Sequence, residues 1–93
     1  MKKNIILGQL VCTVNIAATI EKDSEFQKEI NNSLEKYTKG DWGDTCEEDC
    51  ELNDEALETN DRIVALYKTS QGNVFIITEA DRSVTTVLFA SEY

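Results

Sequence analysis

RIVALYKTSQGNVFIITEADRSVTTVLF, residues 62–89, decides the fold of this 93-residue chain. β-Branched and aromatic residues dominate three runs, 62–69, 73–79 and 84–89, which therefore read as strands. Ser70-Gln71-Gly72 is a short hairpin loop whose glycine supplies a positive φ, and Ala80-Asp81-Arg82-Ser83 makes a second polar connection. In the last run Thr85, Val87 and Phe89 share one face, and Val84, Thr86 and Leu88 share the other. The prediction is a three-stranded antiparallel meander.

Upstream, the pattern changes from period two to the helical period. Phe26, Ile30, Leu34 and Tyr37 recur at steps of four, four and three, one stripe of a helix over 25–37 that belongs to the core. Ser24 with Gln27 forms a capping-box pattern at its start, and Gly40 stops it. A shorter helix is expected over 16–22 with Asn15 as its cap. A third is expected over 46–59, opened by Thr45 with Glu48 and turning Leu52, Ala56 and Leu57 inward, joined by Cys46, Cys50 and Asn53. Residues 5–13, rich in Ile, Leu and Val, read as a strand covered on both faces that joins the meander at an edge. The expected fold is one α+β domain spanning 1–93: an N-terminal strand, two to three helices, then the meander with helices packed on one face.

Composition agrees with a folded domain. Leu, Ile, Val and Phe make up 24 of 93 residues, above the level of about one-fifth below which charged chains stay disordered. The net charge is −9, and ten of the eighteen acidic residues fall within 39–61, KGDWGDTCEEDCELNDEALETND, where no base follows Lys39. So polarised a chain repels phosphate backbones and anionic membranes, which excludes direct nucleic-acid binding. It attracts cations and basic proteins; the same charge also serves plain solubility. No apolar run reaches the ~18 residues of a membrane span. The start MKKNIILGQLVC resembles a signal peptide, but its apolar part is short, Gly8 and Gln9 break it, and no small-x-small site follows. Three cysteines, an odd number, fit a reducing compartment, so the expected location is the cytoplasm.

The absence of histidine excludes histidine triads and histidine metal sites. Neither GxxxxGK nor GxGxxG occurs. Cys46 and Cys50 are one helical turn apart, but a four-ligand soft-metal site lacks its other half, and the acidic run does not match a calcium loop; no metal or cofactor is expected. Two constellations remain. Asp41, Trp42 and Asp44 with Glu79, Asp81 and Arg82 form either a carboxylate/arginine ligand site or a structural clasp, in which the guanidinium pins the tryptophan loop to the sheet. Glu47, Glu48, Glu51, Asp54, Glu55 and Glu58 form an acidic helix face suited to a basic protein partner, or simply a solvated surface.

Four segments carry a resemblance: Gly40–Asp44 (GDWGD), Asn53–Leu57 (NDEAL), residues 77–88 (ITEADRSVTTVL) and Leu7-Gly8-Gln9. They resemble a family of small bacterial proteins, some carried on plasmids, of the "plasmid-related protein" type. The resemblance covers most of the chain and is weakest over 14–37. It brings no established activity. Cys46, Cys50 and Ala90-Ser91 depart from the pattern, which weakens a thiol or metal role further. Two functional expectations stand together. One is an acidic interaction protein, associated with mobile elements, that engages a basic or nucleic-acid-handling partner through helix 46–59. The other is a metal-dependent enzyme or small-ligand binder between the Trp42 loop and the Glu79–Thr86 hairpin.

Overall fold

The computed structural model describes residues 5–93. In chain order the elements are β1 (Gln9–Cys12), α1 (Val14–Lys22), α2 (Ser24–Thr38), α3 (Glu47–Thr59), β2 (Ile63–Thr69), β3 (Gly72–Thr78), β4 (Val84–Phe89) and a 3-10 turn, Ala90–Glu92. The basic start, Lys2 and Lys3, lies outside the described residues. The meander forms as expected, β2 pairing antiparallel with β3 and β3 with β4. β1 joins at the edge in the order β1-β4-β3-β2, parallel to β4, so the sheet is mixed.

Side-chain alternation divides the sheet into two unlike faces. Ile63, Ala65 and Tyr67 of β2, Val74 and Ile76 of β3, and Val87 of β4 point to the helices and are buried. Against them lie Ile16 of α1 and the predicted stripe of α2, with Phe26 and Tyr37 fully buried, Ile30 nearly so and Leu34 partly covered. Phe26 stacks on Phe89 with ring centroids 5.6 Å apart. No helix of the described residues covers the opposite face, where Ile77 and Leu88 are shielded by half-buried neighbours such as Leu66 and Phe75, and where Tyr93 lies against Phe75 at 5.3 Å.

Several local expectations are corrected. The first strand is only four residues long and mostly exposed, because the helices cover one side of the sheet and β1 has no neighbour beyond it. Thr13, not Asn15, caps α1: its Oγ1 accepts from Ile16 N at 3.3 Å. Asp23, not Ser24, caps α2, its carboxylate accepting from Glu25 N and Phe26 N, a charged acceptor at the positive helix end. Hydrogen bonds from Gln71, then from Phe26 and Glu25, hold that carboxyl below its usual range. Thr45 does not cap α3; Cys46 occupies the position and makes no side-chain cap. Leu52 is 60% exposed where an inward position was expected, since Asn53 and Ala56 take the buried side of α3.

Gly8 shows how closely the N-terminal segment approaches the β3–β4 turn. It adopts φ +64°, and an added Cβ would meet Arg82 O at 2.4 Å and Ser83 O at 2.5 Å. Gly72 has φ +116° with nothing within 4 Å. Gly8→Ala should therefore lower unfolding free energy by at least about 2 kcal/mol, and Gly72→Ala by less, because only Gly8 adds a backbone clash to the strain of its φ. Urea denaturation of the two variants checks the order.

Candidate functional site

The acidic stretch first covers an edge. β2 is the outermost strand on its side, so the N–H and C=O groups of Val64, Leu66 and Lys68 that face away from β3 need partners. Residues 44–53 engage the N–H groups of all three and the C=O groups of Val64 and Leu66. Asn53 donates its amide to Val64 O at 2.9 Å and accepts from Val64 N at 3.3 Å. Thr45 Oγ1 accepts from Leu66 N at 2.8 Å, and Asp44 N donates to Leu66 O at 2.9 Å. Asp44 Oδ2 accepts from Lys68 N at 2.8 Å. Asp44 and Thr45 are thus the cover of a strand edge.

The tryptophan loop is tied down by the same residues and by the core. Thr45 Oγ1 donates to Trp42 O at 2.5 Å, and Asp41 Oδ1 accepts from Gly43 N at 3.0 Å. Trp42 is buried edge-on to Tyr37 at 5.5 Å and donates its indole N–H to Asp54 at 2.9 Å. Tyr67 donates to Asp41 O at 2.7 Å. Gly43, φ +62°, lies so close to the Tyr67 ring that a Cβ would fall 2.3 Å from it. A shallow hollow of about 420 Å³ lies outside, lined by Lys39, Asp41, Trp42, Cys50 and Asp54 among others.

Arg82 does not join this loop. In the left-handed conformation, φ +62°, it reaches the C-terminus of α3 and donates to Ala56 O at 3.0 Å, Asp61 O at 2.7 Å and Glu79 O at 3.2 Å. The expected clasp on the tryptophan loop is therefore not made: Arg82 grips carbonyls at the end of α3, not the carboxylates of Asp41 or Asp44. The reason is electrostatic: α3 ends without a base in its last turn, and its C-terminal carbonyls form the negative end of a helix dipole. Glu79 pairs instead with Arg62 at 3.6 Å. Asp81 accepts from Ser83 Oγ and Ser83 N, which hold its carboxyl below the usual range. The six clasp candidates therefore form two separate groups, and the hollow beside Trp42 includes none of Glu79, Asp81 and Arg82.

Sequence reasoning missed a buried chain of hydroxyls. Thr85 Oγ1 donates to Leu7 O at 2.8 Å; with its one proton so used, it accepts from Thr78 Oγ1 at 2.8 Å, which in turn accepts from Tyr37 OH at 2.6 Å. Strand parity was the available signal, since Thr78 and Thr85 fall at inward positions. Burial, the dominant cause, pushes the Tyr37 phenol up to about 12, and it pushes the Tyr67 phenol up still further.

The partner-binding candidates are all on α3. Glu47, Glu48, Glu51, Glu55 and Glu58 are exposed and make no side-chain hydrogen bond or ion pair among the described residues, whereas Asp54 is exposed but committed to Trp42. Cys46 is exposed, and Cys50, half-buried, donates its thiol to Thr45 O at 3.4 Å. No helix of the described residues is long and apolar enough to cross a membrane. Comparison with family models, curated proteins and solved structures yields no match.

Two predictions follow from the hydroxyl chain. Thr85→Val leaves the Thr78 proton without an acceptor and Leu7 O without this donor, so it should cost about 1–3 kcal/mol; Tyr37→Phe, which orphans no donor, should cost less. Chemical denaturation measures both. Because burial pushes the folded Tyr37 phenol from its ordinary 10.0 up to about 12, its contribution is full below pH 10 and is lost as pH rises through 12. Unfolding curves taken across that window should show stability falling by on the order of 2 kcal/mol from this group, and Tyr37→Phe should flatten the fall.

Proposed function

We propose that this is a non-catalytic acidic interaction protein of the cytoplasm, one that engages a basic, nucleic-acid-handling protein through the exposed face of α3. The observation that carries the reading is the division of labour on that helix. Asn53 and Ala56 face the sheet, while five glutamates face water with no cation within 46–61 to neutralise them. Glu47, Glu51 and Glu55 succeed one another at four-residue steps, a carboxylate about every 6 Å along the axis. A row of fixed negative charge on a rigid element steers basic surfaces and discriminates against acidic ones. The resemblance to plasmid-borne proteins suggests a host DNA- or RNA-binding protein as the partner class, with the carboxylate row standing in for phosphates. The enzyme alternative has no matching support, since the residues it needs fall into two groups whose polar atoms serve backbone and capping contacts.

The test is affinity capture from host lysate with the natural chain and with a variant carrying Gln at 47, 48, 51, 55 and 58, sparing Asp54 because it holds Trp42. Nucleic-acid-binding proteins should be recovered by the natural chain, released by added duplex DNA or by raised salt, and lost with the variant. Equal recovery with the variant overturns the proposal. Circular dichroism should show both chains folded, because these glutamates make no side-chain hydrogen bond or ion pair among the described residues.

A further inference from the structure

The two edges of the sheet are treated in opposite ways. The outward N–H groups of Val64, Leu66 and Lys68 and the C=O groups of Val64 and Leu66 on β2 are engaged by residues 44–53. β1, the other edge, has no strand beyond it among the described residues. Gln9 N donates to Ser83 O at 3.0 Å and Thr13 N to Val87 O at 3.1 Å, so in this parallel register residues 9, 11 and 13 face β4. The N–H and C=O groups of Leu10 and Cys12 then point away from the sheet. Such an edge is a template for another strand, and proteins ordinarily block it with charge, proline or a bulge. Here none of these occurs: no charged residue lies between Asn4 and Ile20, although the chain is 29% charged, the chain contains no proline, and the register of Gln9–Cys12 on β4 is uninterrupted. Among the described residues, three of the five exposed large hydrophobic side chains cluster in this segment, Ile6 at 72%, Leu10 at 48% and Val14 at 84% exposure.

We propose that β1 is a homodimerisation edge, pairing antiparallel with β1 of a second copy about a two-fold axis at Val11. In that register Leu10 of one chain faces Cys12 of the other, so the four outward backbone groups of each strand all find partners, and Val11 meets its own symmetry mate. A second copy is the occupant because the edge is self-complementary in both geometry and charge. Each chain carries −9, but the acids of α3 sit beyond β2, at the far end of the order β1-β4-β3-β2. Three strand spacings, about 14 Å, separate β1 from β2. The acidic helices of the two copies would thus stand several Debye lengths of about 8 Å apart, where their repulsion is screened. Glu92 lies beside the end of the pairing strand, held by Thr13, Asn15 and Phe89 N at the start of α1; the residue that pairs opposite Thr13 is the neutral Gln9.

Joined this way, two four-stranded sheets become one continuous sheet, with its edge-covering helices outermost. The apolar groove of about 250 Å³ between β1 and the helices, lined by Leu10, Cys12, Ile16, Ile20 and Leu34 among others, would face its symmetry mate across the axis.

The experiment combines mass and register. Light scattering on the full chain in the micromolar range should give a dimer, and Leu10→Lys should raise the dissociation constant at least about tenfold while leaving the circular dichroism spectrum unchanged. Register is read in a background with Cys12, Cys46 and Cys50 changed to Ser. Val11→Cys should then oxidise to a covalent dimer, since symmetry mates in a non-hydrogen-bonded antiparallel pair place their Cα atoms about 4.5 Å apart, within disulfide range. Val14→Cys, which is more exposed but out of register with itself, should not. A monomer throughout that range overturns the proposal. So does a dimer that survives Leu10→Lys, or one in which Val14→Cys crosslinks as fast as Val11→Cys.

Discussion

The structure depends on satisfying the outer backbone edge of β2. A strand at the border of a small sheet carries a row of polar groups that must be paired or hydrated, and here the chain covers them with its own side chains and loop backbone. That requirement explains why a loop rich in glycine and aspartate precedes an acidic helix. The loop must come close enough for Gly43 to bridge Leu66 and for Thr45 to reach its N–H, and Asn53 must lie inward one turn before Ala56. With its inward side given to this task, α3 leaves its carboxylates to solvent.

Two helix ends are completed by charge from remote parts of the chain. α3 lacks a base in its last turn, and Arg82 arrives from the β3–β4 turn. α1 lacks an acid in its first turn, and Glu92 arrives from the C-terminal 3-10 turn to accept from Thr13 and Asn15. Hydrogen bonds, the Phe89 N–H first, hold the Glu92 carboxyl below its usual range. Between them runs the buried hydroxyl chain from Tyr37 to Leu7, which links α2, β3, β4 and the N-terminal segment with no orphaned donor. In a thin core such directed contacts select one arrangement of elements that hydrophobic burial alone would leave loosely specified.

The segments that carry the resemblance acquire structural reasons. Gly8 packs against the backbone of Arg82 and Ser83, Gly43 against the Tyr67 ring, and Asn53 and Asp44 complete the β2 edge. Arg82 caps α3 and Asp81 organises its own turn through Ser83. These motifs describe a frame.

Periodicity determined the α+β class, the helical stripe of α2 and the three strands of the meander, because spacing of apolar residues reports which side of an element is buried whatever it is buried against. The same strand parity held an unread signal, the inward positions of Thr78 and Thr85. The caps were misassigned because Asp23 and Thr13 compete with Ser24 and Asn15 within one or two residues, and only backbone direction decides which oxygen meets the free N–H groups. The parallel placement of β1, the division of the clasp candidates into two groups, and the reach of Arg82 and Glu92 across the molecule were decided by tertiary structure alone. Each joins residues far apart in the chain, and local sequence carries no record of which distant carbonyl or helix end a long polar side chain will meet.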